Sequence, residues 1–486
     1  MLFSVLLPVG AGLAVYFRPD MEQEQNRIRF VRLALIVTAA VSFLLVLLPE
    51  RAVAVFHLTK ELPILYRTDG FARIFLALVS TMWLCSGFVS FEYMKHEQDH
   101  RRYYLFFLTA YGALNALGMS VNYLTMYLNY ELMTLLTMPL VLHNKSKEAI
   151  DAALKYLFYS IFGASMGLLG FFYLHTYAAT LEFTPGGALD LVKLAGHENT
   201  MLVVAFLVII GFGGKAGMFP LHAWLPSAHP VAPAPASAVL SGVITKAGVL
   251  GIFRVVYYLI GVDFLRGTWV QTAFMIFALT TVFMGSMMAY KEKVLKKRLA
   301  YSTVSQVSYV LFGLSVMNRA AVIGALLHVV FHSIIKDTLF LSAGAIIYKT
   351  HRTRVDELRG TGKEMPIVMW CFTLASLALI GVPPLCGFVS NWYLATGSLE
   401  MGGSALAWIG PAVLLVSALL TAGYLLSIVI PAFFPGADYD YRALEKKEPG
   451  KTMTVPLIVL TVLAVWFGMF PGGLLSLISG IAGAIC

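Results

Sequence analysis

Long apolar segments recur along the whole chain, and they constrain its fold more than any other feature. Runs of about eighteen or more apolar residues are long enough, as helices, to cross roughly 30 Å of hydrocarbon. Only 13% of the 486 residues are charged, whereas soluble domains carry roughly 25%. The pattern predicts an all-α polytopic membrane protein with about fourteen transmembrane helices, and it excludes a soluble globule. The predicted spans are residues 2–17, 31–48, 71–91, 103–120, 122–142, 154–176, 201–218, 233–260, 271–290, 300–317, 319–347, 367–391, 406–433 and 454–476.

Basic residues lie mainly in the links that follow odd-numbered spans, for example residues 291–298 and 349–363. Short cytoplasmic links carry such an excess of Lys and Arg, so we expect both termini to lie outside. The first span has no basic region before it and no small-residue cleavage site after it, which favours a retained helix over a removed signal peptide. The net charge of +9 then reflects topology, and nucleic-acid binding is not expected.

The cysteines give no sign of a redox centre. Cys85, Cys371, Cys386 and Cys486 form no Cys-x-x-Cys pair and no haem or iron–sulfur spacing. We therefore expect no cofactor in this chain.

Two predicted spans contain helix-breaking residues. Residues 211–220 read GFGGKAGMFP in the seventh span, and residues 381–387 read GVPPLCG in the twelfth. Backbone opened at membrane depth must face protein or water, and breaks five spans apart favour an inverted-repeat transporter. Incidental proline kinks are the alternative, because Pro233 and Pro235 also begin the eighth span. The predicted units are residues 1–102 (helices 1–3), 103–260 (first inverted repeat, helices 4–8), 271–433 (second inverted repeat, helices 9–13) and 454–486 (helix 14).

Three ionisable residues fall inside apolar spans: Glu131, Lys215 and Lys246. Each charged centre costs about 2.5–3.5 kcal/mol on insertion scales, so each needs a partner or a function. One interpretation is an ion pair that only holds helices together, and the other is a proton relay. A Glu131–Lys215 pair at about 4 Å would interact by roughly 4 kcal/mol at an effective dielectric of 20. Separating the pair would drive the Lys215 proton toward Lys246.

A stripe of basic residues marks the span 319–347. His328, His332 and Lys336 follow each other at intervals of four residues, which places them on one helix face. Proton transfer, a hydrogen-bonded histidine pair and a metal site are all compatible with this spacing. The metal site is disfavoured because Val329 stands where a zinc protease has its Glu and no third ligand is evident.

Other polar residues near the spans are assigned less specific roles. His222 and His229 follow the first break, where each is either satisfied by the backbone or lines a water-accessible mouth of the path. Asp69 and Arg73, four residues apart, are expected to form an ion pair at the start of the third helix.

Several motifs together resemble one known family. They are NYEL at 129–132, LKY at 154–156, GKAGMFPLHAWLP at 214–226, SGVITK at 241–246, LAYSTVSQ at 299–306 and GFVS at 387–390. The combination resembles the antiporter-like membrane subunits of respiratory complex I. Mrp-type cation/proton antiporters, through their D-type subunit, and membrane-bound hydrogenases carry the same module.

The resemblance implies fourteen helices, two inverted five-helix repeats, broken helices 7 and 12, and a central hydrophilic axis that carries protons. It further implies antiporter-like and small hydrophobic partner subunits in a prokaryotic inner membrane, with iron–sulfur, flavin or nickel–iron centres in peripheral redox subunits. The transported ion that the resemblance implies is the proton, with sodium as an alternative. By motif, the implied site residues are Glu131 on helix 5, Lys215 on helix 7, Lys246 on helix 8, and His328, His332 and Lys336 in the second half.

One position departs from the family pattern. Asn391 stands where the family usually presents Lys or Glu, and an amide holds water but loads no proton. The second half-path is then closed, or it is completed by water or a neighbouring subunit. Three functions stay open: a proton-pumping module driven by an oxidoreductase, a subunit of a sodium/proton antiporter, and a structural module whose path has decayed.

Overall fold

The chain is a helical, multi-pass membrane protein. A computed structural model describes residues 1–59, 62–403, 405–436, 439 and 445–486. Ten helices in these ranges are long and apolar enough to cross a membrane. The longer helices are α1 (Leu2–Phe17), α2 (Glu24–Leu47), α3 (Gly70–Tyr93), α4 (His100–Gly118), α5 (Tyr123–Val141), α6 (Lys147–Tyr177), α7 (Glu198–Ala216), α8 (Leu225–Val231), α9 (Ala234–Ile260), α10 (Trp269–Lys291), α11 (Leu295–Val316), α12 (Arg319–Thr350), α13 (Pro366–Ile380), α14 (Cys386–Leu399), α15 (Ala405–Phe433), α16 (Lys451–Met469) and α17 (Gly472–Ile485).

The links contain short helices and one antiparallel hairpin. Single turns lie at Pro19–Glu22, Met94–His96, Leu191–Leu194, Val262–Leu265, Val355–Leu358 and Thr361–Glu364. Strands β1 (Ala52–Thr59) and β2 (Leu62–Arg67) pair from Ala52↔Arg67 to Thr59↔Leu62 with two irregularities. The prediction of an all-α chain is wrong here, because this link is rich in β-branched and aromatic residues, which favour strands.

Both predicted breaks are present, and they end the preceding helix in the same way. Gly217 after α7 and Gly381 after α13 adopt φ of +87° and +90°. The next residues close the helix end, since Met218 N–H donates to Gly213 O and Val382 N–H donates to Leu377 O. These bonds belong to the Schellman motif, in which a left-handed glycine terminates a helix. The first break covers residues 217–224, later than the glycines at 211–214, which remain helical.

Two predicted spans end elsewhere than expected. The half-helix α14 continues to Leu399, beyond the predicted end at 391. The span predicted at 454–476 is divided into α16 and α17. Pro471 stands between them, and proline removes a backbone donor and disfavours helix in the residue before it.

Helix α12 lies at the centre of the second half of the protein. It packs against α11, α13, α14, α16, α17 and α3, and every residue from Ala321 to Ile346 is buried. The polar residues between Ala321 and Ile346 therefore face other parts of the protein.

A glycine contact brings α6 against α7. A Cβ on Gly163 would lie 2.3 Å from Gly211 O, and a Cβ on Gly211 would lie 2.5 Å from Gly163 O. Small residues allow such close backbone approach in membranes. The contact places Tyr156 and Ser160 of α6 beside the end of α7.

We predict that Gly163→Val destabilises the protein by at least the cost of overpacking, about 1–3 kcal/mol, because neither backbone can move without parting the helices. Thermal unfolding in detergent measures the loss. Gly10→Val is the matched control, since a Cβ there meets no atom within 4 Å. Equal melting temperatures for the two variants would contradict the packing argument.

Candidate functional site

The Lys215 ammonium is enclosed by hydroxyl groups. The residue is 1% exposed, near the end of α7. Its Nζ donates to Thr134 Oγ1 at 2.9 Å, Tyr156 OH at 2.6 Å and Ser160 Oγ at 3.1 Å. It also lies 4.1 Å from the centroid of the Tyr156 ring. A lysine ammonium has three donors, so the hydroxyls satisfy all of them.

Glu131 does not pair with Lys215. Among the residues that the structure describes, Glu131 forms no ion pair within 4.0 Å, and its buried Oε1 has no hydrogen-bond partner. The residue is half-buried on an outward face of α5, where its exposed neighbours are Leu128, Leu132 and Leu135. The close Glu131–Lys215 charge pair that we expected is therefore not formed in this structure. Hydroxyl groups of α5 and α6 bind the ammonium instead.

Lys246 contacts the histidine stripe directly. Its Nζ lies 2.6 Å from His332 Nδ1 and donates to Ser241 O at 2.7 Å. Ser241 belongs to the π-helical turn Leu240–Ile244 of α9. Because an ammonium only donates, His332 Nδ1 accepts while Lys246 is charged. A neutral His332 ring then carries its proton on Nε2, which has no partner within the described ranges.

His328 stacks on His332, with ring centroids 5.9 Å apart. Its Nδ1 lies 2.9 Å from Ser390 Oγ, and its Nε2 lies 3.1 Å from Gln306 Oε1. Both oxygens accept hydrogen bonds. The site therefore accommodates the ring either neutral or doubly protonated. Ser390 is supplied by α14, the half-helix that follows the second break.

Lys336 and Asp337 continue the row of buried polar side chains from His328 and His332 toward the other end of α12. Lys336 Nζ donates to Leu299 O at 3.1 Å and to Ser302 Oγ. Asp337 Oδ2 accepts from Ser86 Oγ at 3.2 Å, whereas its Oδ1 has no partner in the part of the chain that the structure describes. Both residues are 0% exposed. The i, i+4, i+8 stripe thus has two stacked rings, and among the described residues Lys336 donates to Leu299 and Ser302 and forms no hydrogen bond with His332.

His222, within the first break, and His229, after it, lie in different surroundings. His222 is half-buried and stacks on Phe219, with centroids 6.0 Å apart. His229 is fully buried and stacks on Phe340 at 4.6 Å. Neither ring nitrogen of His229 has a partner among the described residues.

A small cavity opens near His229. Its volume is about 190 Å³, and its lining includes Glu97, Pro230, Ala232 and Lys296. Lys296 Nζ donates to Pro230 O at 3.3 Å and to Ala232 O. Burial raises the pKa of Glu97, and the nearby Lys296 partly opposes this shift. The cavity therefore joins a carboxyl group near the surface to a buried amine next to the His229 segment.

Asn391 packs against the second break. A Cβ on Gly381 would lie 2.6 Å from Asn391 Nδ2, and the buried Asn391 Oδ1 has no partner within the described residues. The adjacent Ser390 contacts His328. The amide thus lies at the end of α13, next to the contact between Ser390 and His328.

The expected Asp69–Arg73 ion pair is wrong. Asp69 caps α3 by accepting from Ala72 N–H, and it pairs with the buried Arg254 at 2.8 Å. Arg73 instead donates to Leu48 O at 2.9 Å. Arg254 lies among the rings of Phe71, Phe183 and Tyr258, which makes it a favourable buried partner for the carboxylate.

No group of three or more His, Cys, Asp or Glu side chains is arranged to hold a metal ion in the described ranges. The two stacked histidines instead contact a lysine, a serine and a glutamine. The arrangement is suited to hydrogen-bonded proton exchange, because each of these groups donates or accepts.

Residues 120–421 match the family described as NADH:quinone oxidoreductase/Mrp antiporter, TM. The chain belongs to this family. It is 34% identical over 389 residues to NADH-quinone oxidoreductase subunit N of Desulforudis audaxviator (strain MP104C), covering 78% of this chain and 76% of that protein. It is 29% identical over 437 residues to hydrogenase-4 component B of Escherichia coli (strain K12), covering 86% of this chain and 64% of that protein.

The fold is shared with one chain of a solved multisubunit complex. A chain in the structure of the Mrp complex from Dietzia sp. DQ12-45-1b superposes with a TM-score of 0.86 and 20% identity, covering 100% of this chain and 96% of that chain. The family resemblance predicted from the motifs is confirmed.

Asp337 and Lys296 were missed by the sequence analysis. Asp337 had a usable signal, because it directly follows Lys336 within an apolar span and acidic residues at membrane depth are costly. Lys296 had no such sequence signal, since it belongs to a basic link that resembles any cytoplasmic anchor.

We predict that Tyr156→Phe lowers the free energy of unfolding by about 1–3 kcal/mol, because a buried ammonium then lacks one acceptor. In a Lys215→Met background the same change costs less, since the ammonium is absent and only the hydrogen bond between Tyr156 OH and Thr137 Oγ1, at 2.7 Å, is lost. Thermal unfolding of the four proteins gives the coupling energy. Tyr159→Phe, on the same helix, is the control. An equal loss in both backgrounds would refute the role of Tyr156 as the ammonium acceptor.

Proposed function

We propose that this chain is a proton-translocating, antiporter-like subunit of a multisubunit, redox-driven membrane complex, similar to complex I or a membrane-bound hydrogenase. The observation that carries the proposal is the direct contact between Lys246 and His332, continued by the stack of His332 on His328. These groups lie in the buried centre of the protein, where ionisable side chains are expensive and commonly mark proton pathways.

The second half of the axis offers successive sites for a proton. Lys246 passes its proton to His332 Nδ1 across 2.6 Å. Release from His332 Nε2 and uptake by His328 then lead toward Ser390. Histidine suits this task because its charge changes near neutral pH. Lys336 is the branch at the other end of α12, bound to Ser302 and the backbone.

The first half of the axis consists of Glu131 and Lys215. In the described conformation the two are separated, and hydroxyl groups bind the ammonium. We propose that this is the state in which Lys215 is poised to give its proton to Lys246. Glu131 lies on the lateral surface, where a neighbouring membrane subunit approaches it.

The cavity at Glu97 and Lys296 is the proposed entrance from the cytoplasm. His229 lies between this cavity and the buried part of the axis, and His222 lines the mouth at the first break. Asn391 ends the second half without a titratable group. Water or a neighbouring subunit completes the path there.

The proposed topology follows from the breaks and the distribution of basic residues. Counting each broken pair, α7 with α8 and α13 with α14, as one crossing and leaving out α17 gives fourteen crossings. Crossings 4–8, which comprise α4 to α9, and crossings 9–13, which comprise α10 to α15, then form the two inverted repeats. Both termini face outward in a prokaryotic inner membrane.

The chain itself performs no redox chemistry in this proposal. The driving reaction takes place in peripheral partner subunits, which carry iron–sulfur, flavin or nickel–iron centres. Other antiporter-like and small hydrophobic subunits contact its lateral surfaces. Strand β1 is a candidate contact, because it is exposed throughout and unpaired strand edges favour pairing with another chain.

We predict that Asp337→Asn reduces proton transport by about tenfold, which corresponds to roughly 1.4 kcal/mol on the barrier. The amide keeps the shape of the side chain but removes the carboxylate beside the Lys246 segment. Transport in proteoliposomes that contain the whole complex is the measurement. Asp263→Asn, at an exposed carboxylate, is the control. Unchanged transport by an intact Asp337→Asn complex would show that proton transfer does not depend on this carboxylate.

A second candidate is a subunit of a Mrp-type sodium/proton antiporter, and the fold match to the Mrp chain supports it. Purification through a tag on this chain, with mass spectrometry of the associated subunits, separates the two candidates. Redox subunits with flavin, iron or nickel support the redox-driven complex. Only small hydrophobic subunits, together with sodium-dependent proton exchange, support the antiporter. Full proton coupling after Lys215→Ala and Lys246→Ala together would leave only the structural role.

A further inference from the structure

An apolar cleft runs along one face of α3. It has a volume of about 520 Å³. Its walls come from α2, α3, α12, α16 and α17, with Phe43, Leu78, Ile334, Leu463, Phe467 and Leu474 among the lining residues. The floor is buried, whereas rim residues such as Val459 and Leu477 are about two-fifths exposed, at 43% and 40%. The cleft therefore opens sideways toward the bilayer.

The length of the cleft corresponds to one leaflet. Its α3 lining begins at Arg73 and ends at Cys85, a distance of about 18 Å at 1.5 Å per residue. Half of a hydrocarbon core is about 15 Å. An extended chain that entered at the start of α3 would thus reach the middle of the membrane.

One cation stands at the shallow end of the cleft. Arg73 is half-buried in the first turn of α3, and its Nη2 donates to Leu48 O. Its buried Nε has no hydrogen-bond partner, and Arg73 forms no ion pair, among the residues that the structure describes. The cleft lining also contains the hydroxyl group of Thr81, which donates to Ala77 O. Among the described lining residues, Arg73 is thus the charged donor of the cleft, and it lies in the first turn of a membrane-spanning helix, where lipid headgroups are expected.

We propose that this cleft binds one glycerophospholipid, with an acyl chain along α3 and the phosphate at Arg73. Guanidinium groups recognise phosphate oxygens through parallel N–H donors. The charge at Arg73 and the length of the cleft therefore both favour a lipid over a protein segment.

The lipid would lie close to the polar axis. Cys85 forms part of the cleft floor, and the next residue, Ser86, donates to Asp337. The floor also includes Val330 and Ile334 of α12. An acyl chain in this position would keep water from reaching the buried carboxylate from the lateral side. The site does not depend on which complex contains the chain.

The test measures phospholipid that stays bound to the intact complex after extensive detergent washing. Ala77→Phe fills the cleft, and Arg73→Gln removes the cation. We expect Ala77→Phe to release one phospholipid per chain and Arg73→Gln to lower its retention at least threefold, by quantitative lipid mass spectrometry. The matched controls are Ala40→Phe on a lipid-facing position of α2 and Arg51→Gln at an exposed arginine on the same side. Unchanged retention in Ala77→Phe would overturn the proposal.

A photo-cross-linking measurement covers the case in which a cleft variant fails to assemble. Benzoylphenylalanine in place of Phe43, a partly exposed aromatic residue on the rim, keeps the cleft open. An adduct with the mass of a phospholipid supports the proposal. An adduct with a partner subunit would show that protein occupies the cleft and would overturn it.

Discussion

The structure depends on the cost of placing polar groups in hydrocarbon without water. Lys215, Lys246 and Lys336 each solve this problem by different means. Three hydroxyls satisfy Lys215, a histidine and a carbonyl bind Lys246, and a carbonyl and a serine bind Lys336. The neighbouring helices must therefore supply oxygen and nitrogen atoms at exact positions. This requirement explains why the ionisable residues of α12 are buried among other helices.

The two helix breaks provide part of these atoms. The end of α7 brings Lys215 against α5 and α6, and the close approach at Gly163 and Gly211 sets that distance. The second break turns α14 so that Ser390 meets His328. In both places a left-handed glycine ends a helix, and the freed backbone groups are bound locally. Irregular backbone is tolerated at this depth because it faces protein rather than lipid.

The polar groups and the lateral surface are adjacent in this fold. Glu131 lies on an outward face, and the cleft below Arg73 comes within one residue of Ser86, the partner of Asp337. Partner subunits and bound lipid would thus control how much water reaches the axis. Proton transfer in this arrangement depends on the surfaces of the subunit as well as on its interior.

The sequence by itself determined the membrane-spanning character, the two breaks and the family. These features depend on local runs of apolar residues, on glycine and proline, and on contiguous motifs such as GKAGMFPLHAWLP. The sequence also identified the ionisable residues inside the apolar spans, among them Lys215, Lys246 and His332, because charge within an apolar span is conspicuous. The β-hairpin and the division at Pro471 were missed, since apolar composition alone does not distinguish a strand or an interrupted helix from a span.

Only the tertiary structure decided which of these residues meet. Thr134, Tyr156 and Ser160 are ordinary helix residues in sequence, and their approach to Lys215 depends on the packing of α5, α6 and α7. Asp69 binds Arg254, 185 positions away, instead of its neighbour Arg73. Hydrogen bonding is directional and short-ranged, whereas helix packing brings distant positions together. The periodicity of a helix therefore fixes which face a side chain occupies, and the fold fixes what that face contacts.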